Sequence, residues 1–292
     1  GMTRRDFLVR SALAGAAASA IAPAARLLAA EGERKQGPKM RLGFVTYLWG
    51  QDWDLPTLIA NCAKTKILGV ELRVEHKHGV KLGMSQAEID AARKLFADSP
   101  VEFVGMGTNE CYDSPDAARL AKSIETTKGW LELSAKLGGS GVKVKPNDFH
   151  KDVPHEKTIE QIGRSLDALG KVAGDLGQQL RLEVHGSCCE LPTIKAIMDV
   201  AKNPAVGVCW NCNDQDLAGA GLAANFEMVR PRLGQTVHVR ELNVGKYPYQ
   251  ELIDLLKKAD YAGWVLLECR TKPKDRVAAM IEQRQVFEKM LG

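Results

Sequence analysis

Six short stretches of this chain carry residues able to hold a cation, grip an anion or move a proton. Each alternates them with apolar or small residues. The first pairs Glu71 with Arg73 and runs on to Glu75, His76 and His78. Lys143 and Lys145 follow, then Glu183 and His185, then Cys209, Asn211 and Asn213. His238 and Arg240 (with Asn243 beyond them) and Glu268 and Arg270 complete the set. Leu72, Val144, Val184, Val239 and Cys269 stand between the polar partners, so the period is two, that of a strand. Two carboxylates, an imidazole and an amide, Glu183, Glu268, His238 and Asn211, make an oxygen-rich set with one nitrogen. Such a set suits Mn²⁺, Mg²⁺, Co²⁺ or Zn²⁺. Arg73, Lys143, Lys145, Arg240 and Arg270 would surround it and favour an anionic or hydroxyl-rich ligand.

These residues need a scaffold that brings strand ends together. From Met40 onward, β-rich runs alternate with segments whose apolar residues recur at helical spacing. The eight runs are RLGFVTY, GVELRV, VEFVGMG, GVKVKP, QLRLEVH, AVGVCWN, TVHVREL and GWVLLECR. Pro56, Pro115 and Pro192 stand where helices begin, and Gly69, Gly138 and Gly177 where helices end, with Gly263 ahead of the last strand. Eight strand–helix units in about 250 residues is the count of a (β/α)8 barrel. A doubly wound sheet would also alternate, but no Gly-x-Gly-x-x-Gly follows the first strand. The reading is an α/β fold, a single TIM barrel over residues 40–292, with its site at the C-terminal ends of the strands. The helix-facing side of each strand is apolar, so the charged residues must point inward. Buried there, they must be paired, hydrated or bound to metal. The plainer alternative is an ion-pair layer closing the barrel top.

Residues 1–30 read differently. Thr3-Arg4-Arg5-Asp6-Phe7-Leu8 and the Ala-rich run behind it have the form of a twin-arginine export signal, with small-x-small cleavage candidates at Ala18-Ser19-Ala20 and Ala22-Pro23-Ala24. The expectation is a periplasmic or extracellular protein, free of the membrane once the signal is removed. The net charge of +4 includes the arginines of that segment, so the rest is nearly neutral and argues against nucleic acid as a partner. Seven cysteines without regular spacing form no disulfide framework. A thiolate zinc site among Cys188, Cys189, Cys209, Cys212 and Cys269 is conceivable. Cys209 and Cys212 cannot share a strand face, however, and Cys188 and Cys189 point apart.

The stretches RLEVHG, VGVCWN, TVHVREL and GWVLLEC, with the early GVELR, resemble the xylose-isomerase-like barrel superfamily of sugar phosphate isomerases and epimerases, ketose 3-epimerases, inosose dehydratase and endonuclease IV. The resemblance covers the whole chain beyond the signal. It implies one divalent metal held by Glu, Asp, His and Glu at the ends of strands five to eight, here Glu183, Asn211, His238 and Glu268. Asn211 stands where relatives carry Asp and brings no charge, which weakens the hold on a metal. Asp214, where relatives carry His, would supply that charge from the loop or else cap the next turn. The activity implied is isomerisation or epimerisation of a sugar or sugar acid. Glu183 and Glu268 would remove and return a proton beside a carbonyl. Glu71, Arg73, His76, Lys143, Lys145, His185, Arg240 and Arg270 would bind substrate oxygens. Trp49, with Tyr47 and Trp53, would pack on the sugar's apolar face or anchor the loop. The alternatives are a lyase or dehydratase acting on keto-sugars or inososes by the same proton abstraction, and a metal-poor sugar-binding barrel without catalysis. The DNA-cleaving relatives use three zinc ions and more His and Asp ligands than this chain offers. The family includes homo-oligomers, and no residue here argues for or against one.

Overall fold

The computed structural model describes residues 39–292. The export signal expected over residues 1–30 lies outside them. Eight parallel strands close on themselves in sequence order. They are β1 (Arg41–Val45), β2 (Gly69–Arg73), β3 (Glu102–Cys111), β4 (Gly141–Lys145), β5 (Gln179–Glu183), β6 (Val206–Asn211), β7 (Leu233–Val239) and β8 (Trp264–Leu267). β8 returns to β1, with Arg41 opposite Trp264 and Phe44 opposite Leu267, so no edge is left open. Each strand is followed by a helix: α1 (Leu55–Thr65), α2 (Gln86–Ala97), α3 (Ala117–Leu137), α4 (His155–Asp175), α5 (Leu191–Val200), α6 (Leu222–Val229), α7 (Tyr249–Lys258) and α8 (Arg276–Leu291). This is the (β/α)8 barrel that the alternating pattern predicts. No described helix is long and apolar enough to cross a membrane.

The helix boundaries follow local chemistry. The Asp54 side chain accepts from Thr57 N and Pro56 follows at the first turn of α1. Ser85 and Glu88 form a reciprocal capping box on α2. Pro115 lies just outside α3, which Asp116 caps. Gly138 takes the left-handed conformation that ends α3, and Gly177 does so just after α4. Two positions differ from expectation. Lys66, not Gly69, turns left-handed after α1, and Asp260, not Gly263, does so after α7. Gly69 belongs to β2, where a Cβ would sit 2.5 Å from the Trp264 ring.

Side chains alternate as the period of two requires. Outward residues such as Leu72, Val142, Val144, Leu182 and Val239 are fully buried under the helices. Inward residues fill the bore. Halfway up, Arg181 is inaccessible to solvent and donates to Ser140 Oγ (2.6 Å), Gln235 Oε1 (3.0 Å) and Val104 O (3.4 Å). This polar layer floors the upper cavity. Register shifts interrupt the ladder between Val70 and Glu71 and between Gly107 and Cys111. Such irregularities re-aim side chains at a barrel rim. The second one carries β3 four residues beyond the expected strand end at Gly107.

Candidate active site

The four strand ends β5 to β8 deliver Glu183, Asn211, His238 and Glu268 to one place, all of them buried. His238 is at the centre. Its Nε2 lies 3.1 Å from Glu71 Oε1, a group that accepts, so Nε2 carries a proton and donates it. Gly107 makes room for this contact, because a Cβ there would stand 2.7 Å from Glu71 Oε1. The opposite ring nitrogen, Nδ1, is buried without a hydrogen-bond partner. It faces Glu183 Oε1 at 3.3 Å and Glu268 Oε2 at 3.8 Å.

Glu183 is held on both oxygens. Lys143 Nζ donates to Oε2 (2.6 Å) and to Thr108 O (3.0 Å), and Asn211 Nδ2 donates to Oε1 (2.9 Å). Burial alone would raise the Glu183 pKa, but Lys143 and His238 outweigh it and hold the carboxyl well below its ordinary value. Glu71 is likewise lowered, His238 first and Lys143 next overcoming its burial. Burial would lower the His238 pKa. The Cys209 sulfur and the Glu71 and Glu183 carboxylates reverse that and hold it well above its ordinary value.

A divalent cation fits this donor set. A lone pair on a buried imidazole nitrogen facing two carboxylate oxygens is unfavourable unless a proton or a cation lies between them. One ligand atom from each of Glu183, His238 and Glu268 lies near the other two, and the separations of 3.3 and 3.8 Å from His238 Nδ1 to the carboxylate oxygens are ones that bonds of about 2.0–2.2 Å to a single ion would span. Glu71 on the remote nitrogen is the outer partner that metal-binding histidines ordinarily have. Asn211 meets the group as a donor to Glu183, and its amide would have to turn to present oxygen.

Elsewhere the mouth is cationic and strapped by hydrogen bonds. Arg73 Nη2 and Lys145 Nζ both donate to Asn109 Oδ1, each at 3.1 Å. The Arg73 carbonyl accepts from His78 Nε2 (2.7 Å), and Val80 N donates to His78 Nδ1 (3.0 Å). Thr46 Oγ1 accepts from Arg73 N (2.9 Å) and so has its own proton for His76 Nδ1 (3.1 Å). His185 is half-buried with no partner on Nδ1, and burial keeps its pKa down. On the β6–β8 side a cavity of about 390 Å³ is lined by Asn213, Asp214, Arg240, Tyr247 and Arg270 among others. Arg240 Nη2 donates to Asn213 Oδ1 (3.3 Å).

Three expected roles look different in place. Asp214 is exposed on a short 3-10 turn and stands outside the Glu183–His238–Glu268 group, and the cap of that turn is Asn213 paired with Asp216. Trp49 is 2% exposed and donates its indole N–H to Thr271 O, so it straps the β1 and β8 loops together and offers a ligand little surface. The thiols stay out of the group of three ligands, and burial pushes Cys188 up to about 12 and Cys212 well above its ordinary value, so neither of these two is a thiolate. The sequence pattern does not single out Asn109, Thr108 or Arg181 as site residues. Arg181 shares the face of Glu183 two residues on, and alternation alone would have found it. Asn109 and Thr108 lie in the irregular extension of β3, where no period points inward.

A model of the xylose isomerase-like TIM barrel matches residues 59–290. No curated protein sequence matches the chain. Among solved structures, the 3-keto-D-glucoside 4-epimerase YcjR from E. coli superposes with a TM-score of 0.74 at 15% identity, covering 86% of this chain and 99% of that one. D-psicose 3-epimerase from Clostridium cellulolyticum H10, solved with D-tagatose, gives 0.68 at 18%, covering 86% and 94%. The IOLI protein with a bound zinc atom gives 0.72 at 15%, covering 86% and 98%. At these identities the likeness establishes the barrel.

Proposed function

The chain belongs to the xylose isomerase-like TIM barrel family, and from that premise we propose that it is a sugar epimerase or isomerase working by proton abstraction beside a carbonyl. The observation that carries this reading is the convergence of Glu183 and Glu268 on His238 Nδ1 at the C-terminal mouth. Sugar epimerases of the same fold, acting on 3-keto-glucosides and on psicose, make the reading the natural one for such a mouth.

Glu183, His238 and Glu268 would hold the divalent ion, with Asn211 alongside. When bound, the ion supplies electrophilic polarisation of a substrate carbonyl. The chain's own residues do the rest. Glu268 has no hydrogen bond on its carboxylate among the described residues, whereas both oxygens of Glu183 are engaged. Glu268 is therefore the base: the C–H bond beside the carbonyl breaks, its proton goes to Glu268 and its electron pair moves to the carbonyl oxygen as an enediolate. Glu183, which accepts a hydrogen bond from the Lys143 ammonium at 2.6 Å, passes a proton from Lys143 to carbon from the other side. Glu71 keeps the His238 ring oriented. Arg73, Lys145, Arg240 and Arg270 bind substrate oxygens. The twin-arginine segment makes the exported compartment part of the same proposal.

The test is product analysis with a panel of ketoses and keto-sugar acids and Mn²⁺-supplemented protein. An epimer or aldose should appear with the wild type and disappear with Glu268→Gln. An unsaturated product, or no product across the panel, overturns the reading.

A further inference from the structure

Lys143 is neutralised by Glu183. Arg240 and Arg270 line the β6–β8 cavity, where Arg240 donates to Asn213 Oδ1. Arg73 and Lys145 are set apart by converging on one atom. Among the described residues neither has a carboxylate within ion-pair distance, and both donate to the single neutral oxygen Asn109 Oδ1. Two like charges gathered on one atom repel, and in a partly buried mouth the repulsion is only weakly screened. The fold nevertheless keeps the pair in place. His78 and Thr46 fix the Arg73 backbone, and the irregular end of β3 raises Asn109 between the two cations. Arg73 Nε is buried without a partner.

On the epimerase reading above, we infer that the substrate is an acidic sugar whose carboxylate binds between Arg73 and Lys145 beside Asn109. One carboxylate matches the guanidinium fork and the ammonium together, and it would take up the unpartnered Arg73 Nε. The Lys145 pKa agrees with a missing counterion. Burial first, then the Lys143 and Arg73 charges, bring it down to about 8, while Glu183 and Glu268 oppose this. Lys145 stands two residues beyond Lys143 on the same face of β4, and Lys143 pairs with Glu183, so the cation pair lies next to the reacting carboxylates. A phosphate ester would carry nearly two negative charges towards Glu183 and Glu268.

The experiment is calorimetric titration of the full chain with matched sets in the fructose and tagatose series: the neutral ketose, the 6-carboxylate (fructuronate, tagaturonate) and the 6-phosphate. The expected result is a carboxylate bound at least about tenfold tighter than its neutral ketose. Added salt should erode that preference, and Arg73→Gln and Lys145→Gln should each bring it towards one. The salt series on wild-type protein keeps the test valid if a variant folds poorly. Equal affinity for ketose and acid, a phosphate bound best, or a preference surviving both substitutions overturns the inference. Neutral ketoses bound equally well and epimerised would leave the epimerase reading standing and remove only the acid. Binding of none of the sugars removes both.

Discussion

The Lys143 ammonium lies 2.6 Å from the Glu183 carboxylate, and neither side chain is more than 1% exposed. Removing one partner of a buried pair leaves a charge without solvent or counterion, which typically destabilises by about 3–5 kcal/mol. Lys143→Met should lose stability on that scale in urea denaturation. Lys143→Met with Glu183→Gln should recover part of it, since no bare charge is left. A double variant as unstable as the single one would show that the pair does not act through charge.

Asn211→Asp places a carboxylate where an amide now donates to Glu183 Oε1 at 2.9 Å. The metal-free protein should lose stability, because a hydrogen bond becomes a repulsion. Mn²⁺ affinity should rise by about tenfold or more, because the donor set gains a charge. Thermal melts with and without Mn²⁺ read both effects. A variant that melts higher than wild type without metal contradicts this account of the amide.

Glu71→Gln alters only the remote side of the His238 ring, where Nε2 meets Oε1 at 3.1 Å. Loss of such an outer partner typically weakens metal binding by about 10–100-fold. Competition with a chelator of known affinity measures it. Unchanged affinity would mean that the ring needs no such orientation.

Burial pushes His78 down to about 4, and the ring in its neutral form accepts from Val80 N and donates to the Arg73 carbonyl. The unfolded chain takes up a proton near pH 6.5 and the folded one near 4. Stability from this group is therefore complete above about 6.5 and falls as pH drops towards 4, by at most about 3 kcal/mol. His78→Gln should flatten that part of the pH–stability curve. A curve of the same slope in the variant would assign the acid loss elsewhere.

Burial raises Asp216 to about 7, against the Tyr247 hydroxyl and the Asn213 N–H that its Oδ2 accepts. The sign is the reverse of His78. The folded state favours the protonated acid, so stability is full below the unfolded pKa of 3.8 and declines as pH rises through about 7. Asp216→Asn should gain relative to wild type above neutrality, on the order of 1 kcal/mol, and show no such gain near pH 4. A constant difference at all pH values contradicts the assignment.

Strand and site legibility had different sources. All eight strands showed in the sequence because a barrel strand buries both faces and its polar residues cluster at one end. Glu183, Asn211, His238 and Glu268 fall together because each is the inward residue at the end of its strand, so parity alone places them. Parity could not show that Lys143 folds back onto Glu183, since a strand position gives the direction of a long side chain but not its reach. It also could not reveal Asn109, which follows a register shift, nor that Trp49 turns its indole to Thr271 O. Loop tryptophans face a ligand or a neighbouring loop with equal ease, and only the β8 loop's carbonyl decides between them.

Incubation with a ketose or its 6-carboxylate in deuterium oxide, followed by proton NMR, tests the central claim most directly. The account predicts loss of the C–H signal beside the carbonyl with Mn²⁺-supplemented wild-type protein, and retention of that signal with Glu268→Gln. A signal that persists with the wild type, or exchange that continues unchanged in Glu268→Gln, would contradict proton abstraction at this site.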